Sequence, residues 1–231
     1  TVVLSGGTEI ISAGGTDFGA QISGGKLIVL SGGSAVGVAV SSGGTEIVSA
    51  HGFDVSATVF GGGKLFVQSA GTAVVSGGTA INSAGANLDA VVSATDFGTL
   101  VNSGAVNVRN GATLTVGAAT LNNAGSINLL GSTVVAELLI EQNVTLSGGG
   151  TVSMSTHSNR ITGGSGFTLT NVNNRIVGDG GLGEPGSAFT INNESSGVID
   201  GNGTMFQMEL VASVTNAGLI EGTTSRGLFI H

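Results

Sequence analysis

Acidic side chains are the groups in this sequence that could do chemistry if the fold brought them together. Cleavage of a sugar chain needs two carboxyl groups in one groove, one acting as an acid and the other as a base or nucleophile. The best candidate pair is Asp200 and Glu221, because each follows an apolar residue in related segments and could lie one turn apart on one face. Glu137 and Glu141 are four residues apart in a predicted strand, and we expect them to be exposed without a partner.

Two further sets of acidic residues recur in the first part of the chain. Glu9 and Glu46 lie in matching Thr-Glu-Ile segments, and Asp17 and Asp54 share another equivalent position. In a stack of repeats each set would be two turns apart, which separates like charges by about 9–10 Å rather than ~4.8 Å. We interpret these residues as a solvated surface that avoids charge repulsion, with a ligand-binding face as the alternative.

Short motifs elsewhere spell binding sequences but lack the context that such sites need. Asp-Phe-Gly occurs at 17–19 and 96–98 without the His-Arg-Asp segment of a kinase, and a repeat explains both copies. Gly-Gly-Lys at 24–26 and 62–64 lacks the remaining residues of a phosphate-binding loop. These motifs therefore indicate neither a kinase nor a nucleotide site.

Metal ligands are sparse in this chain. The three histidines are scattered and do not form a ligand set: His51, His157 and His231. The loop from Asp179 to Glu184 could hold a weakly bound ion, which is the alternative we keep. We expect no catalytic, cofactor-binding or metal-binding residues.

The composition excludes several classes of protein. Charged residues make up 9% of the 231 residues and the formal net charge is −8, so there is no basic surface for nucleic acid. Cysteine is absent, which excludes a disulfide scaffold and a thiolate metal site. The hydrophobic content of 40% and the mean hydropathy of +0.44 argue against disorder. No apolar run approaches the ~18–20 residues that span a bilayer, so we expect no membrane insertion by this segment.

A turn signal of small residues recurs at intervals of 15 to 19 residues, at 5–7, 23–25, 42–44, 61–63 and 76–78. Each signal precedes a short apolar stretch, which predicts a strand rather than a helix. One such unit cannot bury its own apolar face, so the repeat predicts a stack of coils. We therefore predict an all-β protein, a right-handed parallel β-helix (β-solenoid) with about 19–23 residues per coil.

The position five residues after the start of each turn signal is always large and apolar. We predict that these residues form one column inside the solenoid: Ile10, Ile28, Ile47, Phe66 and Ile81.

The composition changes near Asn82, the first asparagine of the chain, and the units lengthen after it. Asparagine tolerates turn conformations and can stack its amide on that of the next coil. We predict short Gly/Ser-rich coils over 1–92 and longer Asn-rich coils over 93–231 in the same rod, with 178–187 as the most protruding loop. The pattern runs to both ends, so we expect a segment of a longer protein.

The repeats of the first part are similar to those of a known family. Residues 5–92, with Ser-Gly-Gly-Thr-Glu-Ile-(Ile/Val)-Ser-Ala and Gly-Gly-Lys-Leu-(Ile/Phe)-Val, resemble the repeats of AIDA-type autotransporter adhesin passengers. Residues 94–230 are similar to looser repeats of large secreted bacterial surface proteins. The resemblance implies a right-handed parallel β-helix that is exported to the cell surface. Some members carry heptose on repeat hydroxyls, and the matching positions are Ser5, Ser23, Ser42 and Ser76.

The resemblance implies a non-catalytic adhesin passenger that acts in adhesion, self-association or biofilm formation, with a role in virulence. Its partners would be proteins or glycans of host or bacterial cell surfaces. We expect the segment to be secreted or displayed at the bacterial surface by a parent chain anchored in the outer membrane. Two alternatives remain open, a β-helical polysaccharide-degrading enzyme and a passive stalk that displays another domain.

Overall fold

A computed structural model describes residues 1–60, 63–67, 72–76, 78–82, 87–90, 95–116 and 119–231. These residues form short β-strands and no helix. In chain order the strands are β1 (Val2–Leu4), β2 (Thr8–Ile11), β3 (Thr16–Phe18), β4 (Gln21–Ser23), β5 (Lys26–Val29), β6 (Ser34–Val36), β7 (Ala39–Val40), β8 (Thr45–Val48), β9 (Phe53–Val59), β10 (Lys64–Val67), β11 (Thr72–Ser76), β12 (Gly78–Asn82), β13 (Asn87–Ala90), β14 (Thr95–Asn102), β15 (Ala105–Arg109), β16 (Thr113–Val116), β17 (Thr120–Asn123), β18 (Ser126–Leu130), β19 (Glu137–Ile140), β20 (Val144–Ser147), β21 (Thr151–Met154), β22 (Arg160–Gly163), β23 (Thr168–Asn171), β24 (Arg175–Gly178), β25 (Gly181–Leu182), β26 (Thr190–Asn193), β27 (Val198–Asp200), β28 (Met208–Leu210), β29 (Ser213–Asn216), β30 (Leu219–Glu221) and β31 (Leu228–Ile230).

The paired strands lie parallel, each against a strand one coil further along the chain. One ladder runs through β1, β4, β7 and β9 and continues to β30. A second ladder runs through β2, β5, β8, β10, β12 and β14. It then divides, because β14 pairs with β16 through its first half and with β17 through its second half. This is the predicted parallel β-solenoid, and the fold prediction is confirmed.

Coil length varies more than the sequence pattern predicts. Thr8 pairs with Lys26, a step of 18 residues, and Lys26 pairs with Thr45, a step of 19. Later steps are longer, and Leu182 pairs with Leu210 after 28 residues. The extra residues enter at corners, where insertions do not interrupt the ladder hydrogen bonds.

The predicted apolar column exists, but it lies on the outside of the rod. Ile10, Ile28, Ile47 and Phe66 are in register in successive coils, so the vertical alignment is correct. Ile10 is 58% exposed and the other three are half-buried, so the inward direction is wrong. The side chain of Ile81 lies outside the described residues. Strand residues alternate between two faces, and an error of one position reverses the whole assignment.

The residues one position before and one position after this column in each strand point inward and form two buried rows. Leu27 and Leu65 are fully buried and belong to the same row as Glu9 and Glu46. The other inward row contains Ile11 and its register partners Val29 and Val48 in the next coils. The core is therefore a stack of aliphatic layers that continues from coil to coil.

The acidic residues of the first part face the core, which corrects the predicted solvated surface. Glu46 and Asp54 are almost completely buried, and Glu9 and Asp17 are half-buried. Glu46 occupies the position that Leu27 and Leu65 occupy in the adjacent coils. The spacing of two coils was predicted correctly, but the strand alternation points these side chains inward.

Asparagine side chains form hydrogen-bonded ladders in the later coils, as the sequence predicts. Asn102 donates to Asn123 over 2.6 Å, and Asn123 donates to Asn174 over 3.0 Å. Further along, Asn171 donates to Asn193 over 2.9 Å, and Asn193 donates to Asn216 over 2.8 Å. These amides also bond backbone groups at the same corner, so they satisfy polar atoms that the turn buries.

Replacement of Asn123 by Ala tests the ladder. The substitution removes one acceptor of the Asn102 amide, and it removes the amide that donates to the Thr151 carbonyl and to the buried Asn174 side-chain oxygen. We expect the free energy of local opening to fall by about 2 kcal/mol, because unsatisfied buried groups keep their desolvation cost. Hydrogen exchange of the β17 and β18 amides measures this quantity. The exposed neighbour Asn122→Ala is the matched control, and an equal loss in both variants would contradict the role of the ladder.

Candidate functional site

A groove lies at one corner of the later coils, beside β22, β25 and β28. It consists of two adjoining cavities of about 280 and 270 Å³ that share His157, Gly181 and Glu209. Its walls are corner segments, which precede β22, β28 and β31 or follow β24 and β25. The long 28-residue coil supplies the segment 201–207 as one wall.

An apolar surface forms one side of the groove. The ring of Phe206 lies against the imidazole of His157, with ring centroids 4.1 Å apart and planes tilted by 46°. Phe206 is 43% exposed and Met205 is 69% exposed, so both present apolar surface to solvent. An exposed aromatic ring beside polar groups is a suitable contact for a sugar ring or an apolar peptide side chain.

The charged groups of the groove have both signs. Arg160 forms an ion pair with Glu184, and Glu209 lies 3.9 Å from the His231 imidazole, which completes an ion pair when protonated. Arg226 also lines the groove and forms no ion pair within the described residues. The groove therefore offers donors and acceptors together, in a pattern suited to a polar ligand with apolar patches.

The wall of the groove is attached to the rod through Asp179. This residue is 7% exposed, and its carboxylate accepts a hydrogen bond of 3.4 Å from the backbone N–H of Phe206. Gly203 lies so close that an added Cβ would come within 1.2 Å of the carboxylate oxygen. The segment 201–207 can therefore reach this position only with glycine at 203.

The prediction of a protruding loop at 178–187 is only partly correct. Gly178 belongs to β24 and residues Gly181–Leu182 form β25, so this part is in the rod. Only 184–186 are fully exposed. The two carboxylates of the alternative ion site are separately engaged, Asp179 with the N–H of Phe206 and Glu184 with Arg160. No cluster of three or more potential metal ligands occurs in the part of the chain that the structure describes.

The predicted acidic pair does lie one coil apart. Asp200 and Glu221 are register partners in β27 and β30. Asp200 is fully buried, and its carboxylate accepts hydrogen bonds from Arg175 and from the Thr223 hydroxyl, the latter over 2.8 Å. The Asp200 carboxylate therefore links three successive coils. Because it is buried and already bonded, it is unsuited to act on a substrate.

The prediction for Glu137 is wrong, while Glu141 is exposed as expected. Glu137 is half-buried and accepts hydrogen bonds from Thr113 over 3.3 Å and from Thr162 over 2.6 Å. The hydroxyls belong to the coils before and after it, so Glu137 also joins three coils.

Sequence reasoning missed the groove itself. Met205, Phe206 and Arg226 belong to no repeat position, and His157 was considered only as a metal ligand. The available signal was the run from Gly201 to Phe206, which breaks the strand pattern within an otherwise regular repeat.

The repeat hydroxyls of the first coils are exposed. Ser5 and Ser42 lie at corners, Ser23 is the last residue of β4, and all three are exposed. The side chain of Ser76 lies outside the described residues.

Comparison with known proteins finds likenesses among solved structures. No protein-family description matches the chain, and no curated protein is similar to it. A solved structure, the TibC-catalysed hyper-glycosylated TibA55-350 fragment, aligns with a TM-score of 0.38 and 20% identity over 100% of this chain and 97% of that one. At this level the likeness does not define a ligand or an activity for the chain. Among the described residues, no helix has the length and apolar character needed to cross a membrane.

Replacement of Gly203 by Ala tests how the groove wall is held. The new methyl group would overlap the Asp179 carboxylate, so we expect the segment 201–207 to detach while the rod remains folded. Hydrogen exchange of Phe206 and Gln207 should become at least tenfold faster, with β21 and β24 unchanged. Gly181→Ala is the matched control, because an added Cβ there meets nothing closer than 3.9 Å. Unchanged exchange at Phe206 in the Gly203 variant would contradict this account.

Proposed function

We propose that this chain is a segment of a bacterial adhesin passenger, a non-catalytic rod that holds a binding surface away from the cell. The observation that carries the proposal is the continuous parallel ladder, which produces a stiff, extended body with side chains displayed along its length. The Ser-Gly-Gly repeats of residues 5–92, which resemble those of AIDA-type passengers, support the same assignment. The location is then the bacterial surface or the extracellular medium.

The rod acts as a single body with two kinds of coil. Residues 1–92 form the short Gly/Ser-rich part and residues 93–231 the longer Asn-rich part. The ladder through β13 and β15 supports continuity across this boundary, since Asn87 pairs with Ala105 and Leu88 with Val106. The short coils act as the stalk, and the longer coils accommodate the corner segments that carry the groove.

The groove at Phe206 and Arg226 contacts a protein or glycan of a host or bacterial cell surface. An aromatic face with neighbouring carboxylates and a guanidinium provides both stacking and hydrogen bonding to such a molecule. Individual contacts of this size are weak, and many rods on one cell raise the effective affinity. Self-association of rods would contribute to aggregation and biofilm formation by the same means.

The exposed hydroxyls of Ser5, Ser23 and Ser42 are the sites for O-glycosylation of the stalk. They lie at corners or at the end of a strand on the exposed surface, where an added sugar meets no core packing. A modified stalk would display sugars at intervals of one coil. Mass spectrometry of protein from the native cell surface tests this part of the proposal.

Binding of protein-coated beads to cells tests the adhesin function. We expect the unmodified protein to hold beads on cells, and Phe206→Ala with Arg226→Ala to reduce retention about tenfold, because two contacts in the groove are lost. Phe18→Ala is the control, since Phe18 is an aromatic residue even more exposed than Phe206 and far along the chain from the groove.

Other results of this experiment would reject the proposal. Equal retention by the groove variant would exclude the groove as the binding surface. Retention no better than that of uncoated beads would favour a passive stalk. Release of reducing sugar ends from cell-surface polysaccharide by the purified protein would favour the degrading enzyme.

A further inference from the structure

Two carboxyl groups are buried inside the third coil, and no cation among the described residues faces them. Glu46 is 0% exposed and Asp54 is 1% exposed, and both point into the core from β8 and β9. Within the part of the chain that the structure describes, none of their four carboxylate oxygens has a hydrogen-bond partner. An isolated ionised carboxylate in an apolar interior is very unfavourable, so the structure cannot hold both groups charged without cost.

The surroundings of the pair contain no described cation that faces it. Leu27 and Leu65 lie above and below Glu46, and Ala35 is the register partner of Asp54 in the coil before. The charged groups of the adjacent strands, Lys26 on β5 and Lys64 on β10, are exposed on the outer face.

The remaining neighbouring elements also lack an inward-facing charge. His51 lies in the corner between β8 and β9 and is exposed. The strands β6, β7 and β11 contain no titratable residue. The next carboxyl groups, Glu9 and Asp17, belong to the first coil, two coils away.

The same arrangement occurs twice, with a neutral layer between the two copies. Glu9 and Glu46 flank Leu27, and Asp17 and Asp54 flank Ala35. Acid layers therefore alternate with Leu/Ala layers along the axis. Acidic residues at the same two inward positions in alternate coils are a built feature rather than an accident of one coil.

We propose that Glu46 and Asp54 form an interior proton-binding site, whose protonation holds the N-terminal coils together and whose deprotonation loosens them. The bound proton removes the charge that the core cannot solvate, and a carboxyl group that is protonated no longer repels the charge of the other. The first-coil pair, Glu9 and Asp17, is a more exposed version of the same site. This proposal concerns the stability of the rod and does not depend on the adhesin function.

Electrostatic considerations agree with this geometry. Burial, reinforced by the nearby Asp54 carboxylate, raises the pKa of Glu46 well above its ordinary value. Burial raises the pKa of Asp54 to about 7, although the nearby N–H groups of Ala57 and Val55 act in the opposite direction. Because the folded coil holds protons that the unfolded chain releases, stability is full below about pH 4 and falls as the pH rises to 7 and above.

Hydrogen exchange of the β8 and β9 amides across pH tests the proposal, because it reports local opening in a protein that need not unfold in one step. After correction for base-catalysed intrinsic exchange, we expect opening on the order of a hundredfold more frequent at pH 7.5 than at pH 4.5. Opening in β21 and β24 should change less than threefold.

The alternating layers suggest the variant that isolates the effect. Glu46→Leu with Asp54→Ala converts the acid layer into the Leu/Ala layer of the second coil, so it preserves packing of a kind the rod already contains. We expect this variant to lose the pH dependence in β8 and β9 and to open less than the unmodified protein at pH 7.5. Glu141→Gln, at an exposed carboxylate, is the control and should behave like the unmodified protein.

Three results would overturn the proposal. Corrected opening that is constant with pH in the unmodified protein would mean that no proton is bound there. An unchanged pH dependence in the double variant would assign the effect to other groups. Slower opening on addition of Ca²⁺ at pH 7.5, seen in the unmodified protein and absent from the double variant, would mean that the pair binds a cation instead.

Discussion

The parallel backbone ladder is the constraint on which the rest of the structure depends. Each strand bonds to the equivalent strand of the next coil, so each side chain lies about 4.8 Å from its counterpart above and below. Each side chain therefore packs against the residues at the equivalent position in the adjacent coils. Rows of aliphatic side chains stabilise the fold through packing. Rows of asparagine stabilise it because each amide can donate to the next while accepting from the previous one. Rows of carboxylates would destabilise the fold, because like charges would be stacked without solvent.

The chain accommodates its buried and half-buried carboxylates in two different arrangements. In the later coils Asp200 and Glu137 accept hydrogen bonds from the coils on either side, and this ties three coils together. In the early coils the acid layers alternate with Leu/Ala layers. If β2 paired with β8 instead of β5, Glu9 would stack on Glu46 and Asp17 on Asp54. Such a register would place the acid layers in contact, whereas the observed register separates them by a Leu/Ala layer.

The groove arises where the repeat is least regular. The ladder tolerates extra residues at corners, and the longest coil places Phe206 and its neighbours outside the core. Asp179 and Gly203 attach this segment to the rod, so the groove has a fixed wall although it is built from an insertion. Rigid repeats thus provide the support, and the departure from the repeat provides a surface with distinct chemistry.

The sequence by itself determined the class of fold, because turn signals at a regular interval and short apolar stretches permit few other structures. It also determined which residues share a column, that asparagines stack in the later coils and that Asp200 and Glu221 are one coil apart, since register follows from spacing. Only the tertiary structure decided which way each column faces. In the structure Ile10 lies outside and Glu46 lies inside. The sequence did not indicate this, because both faces of these strands carry apolar residues and alternation alone does not say which face points inward. The groove and the environment of each carboxylate were likewise decided there, since they depend on segments from different coils that meet only in the folded rod.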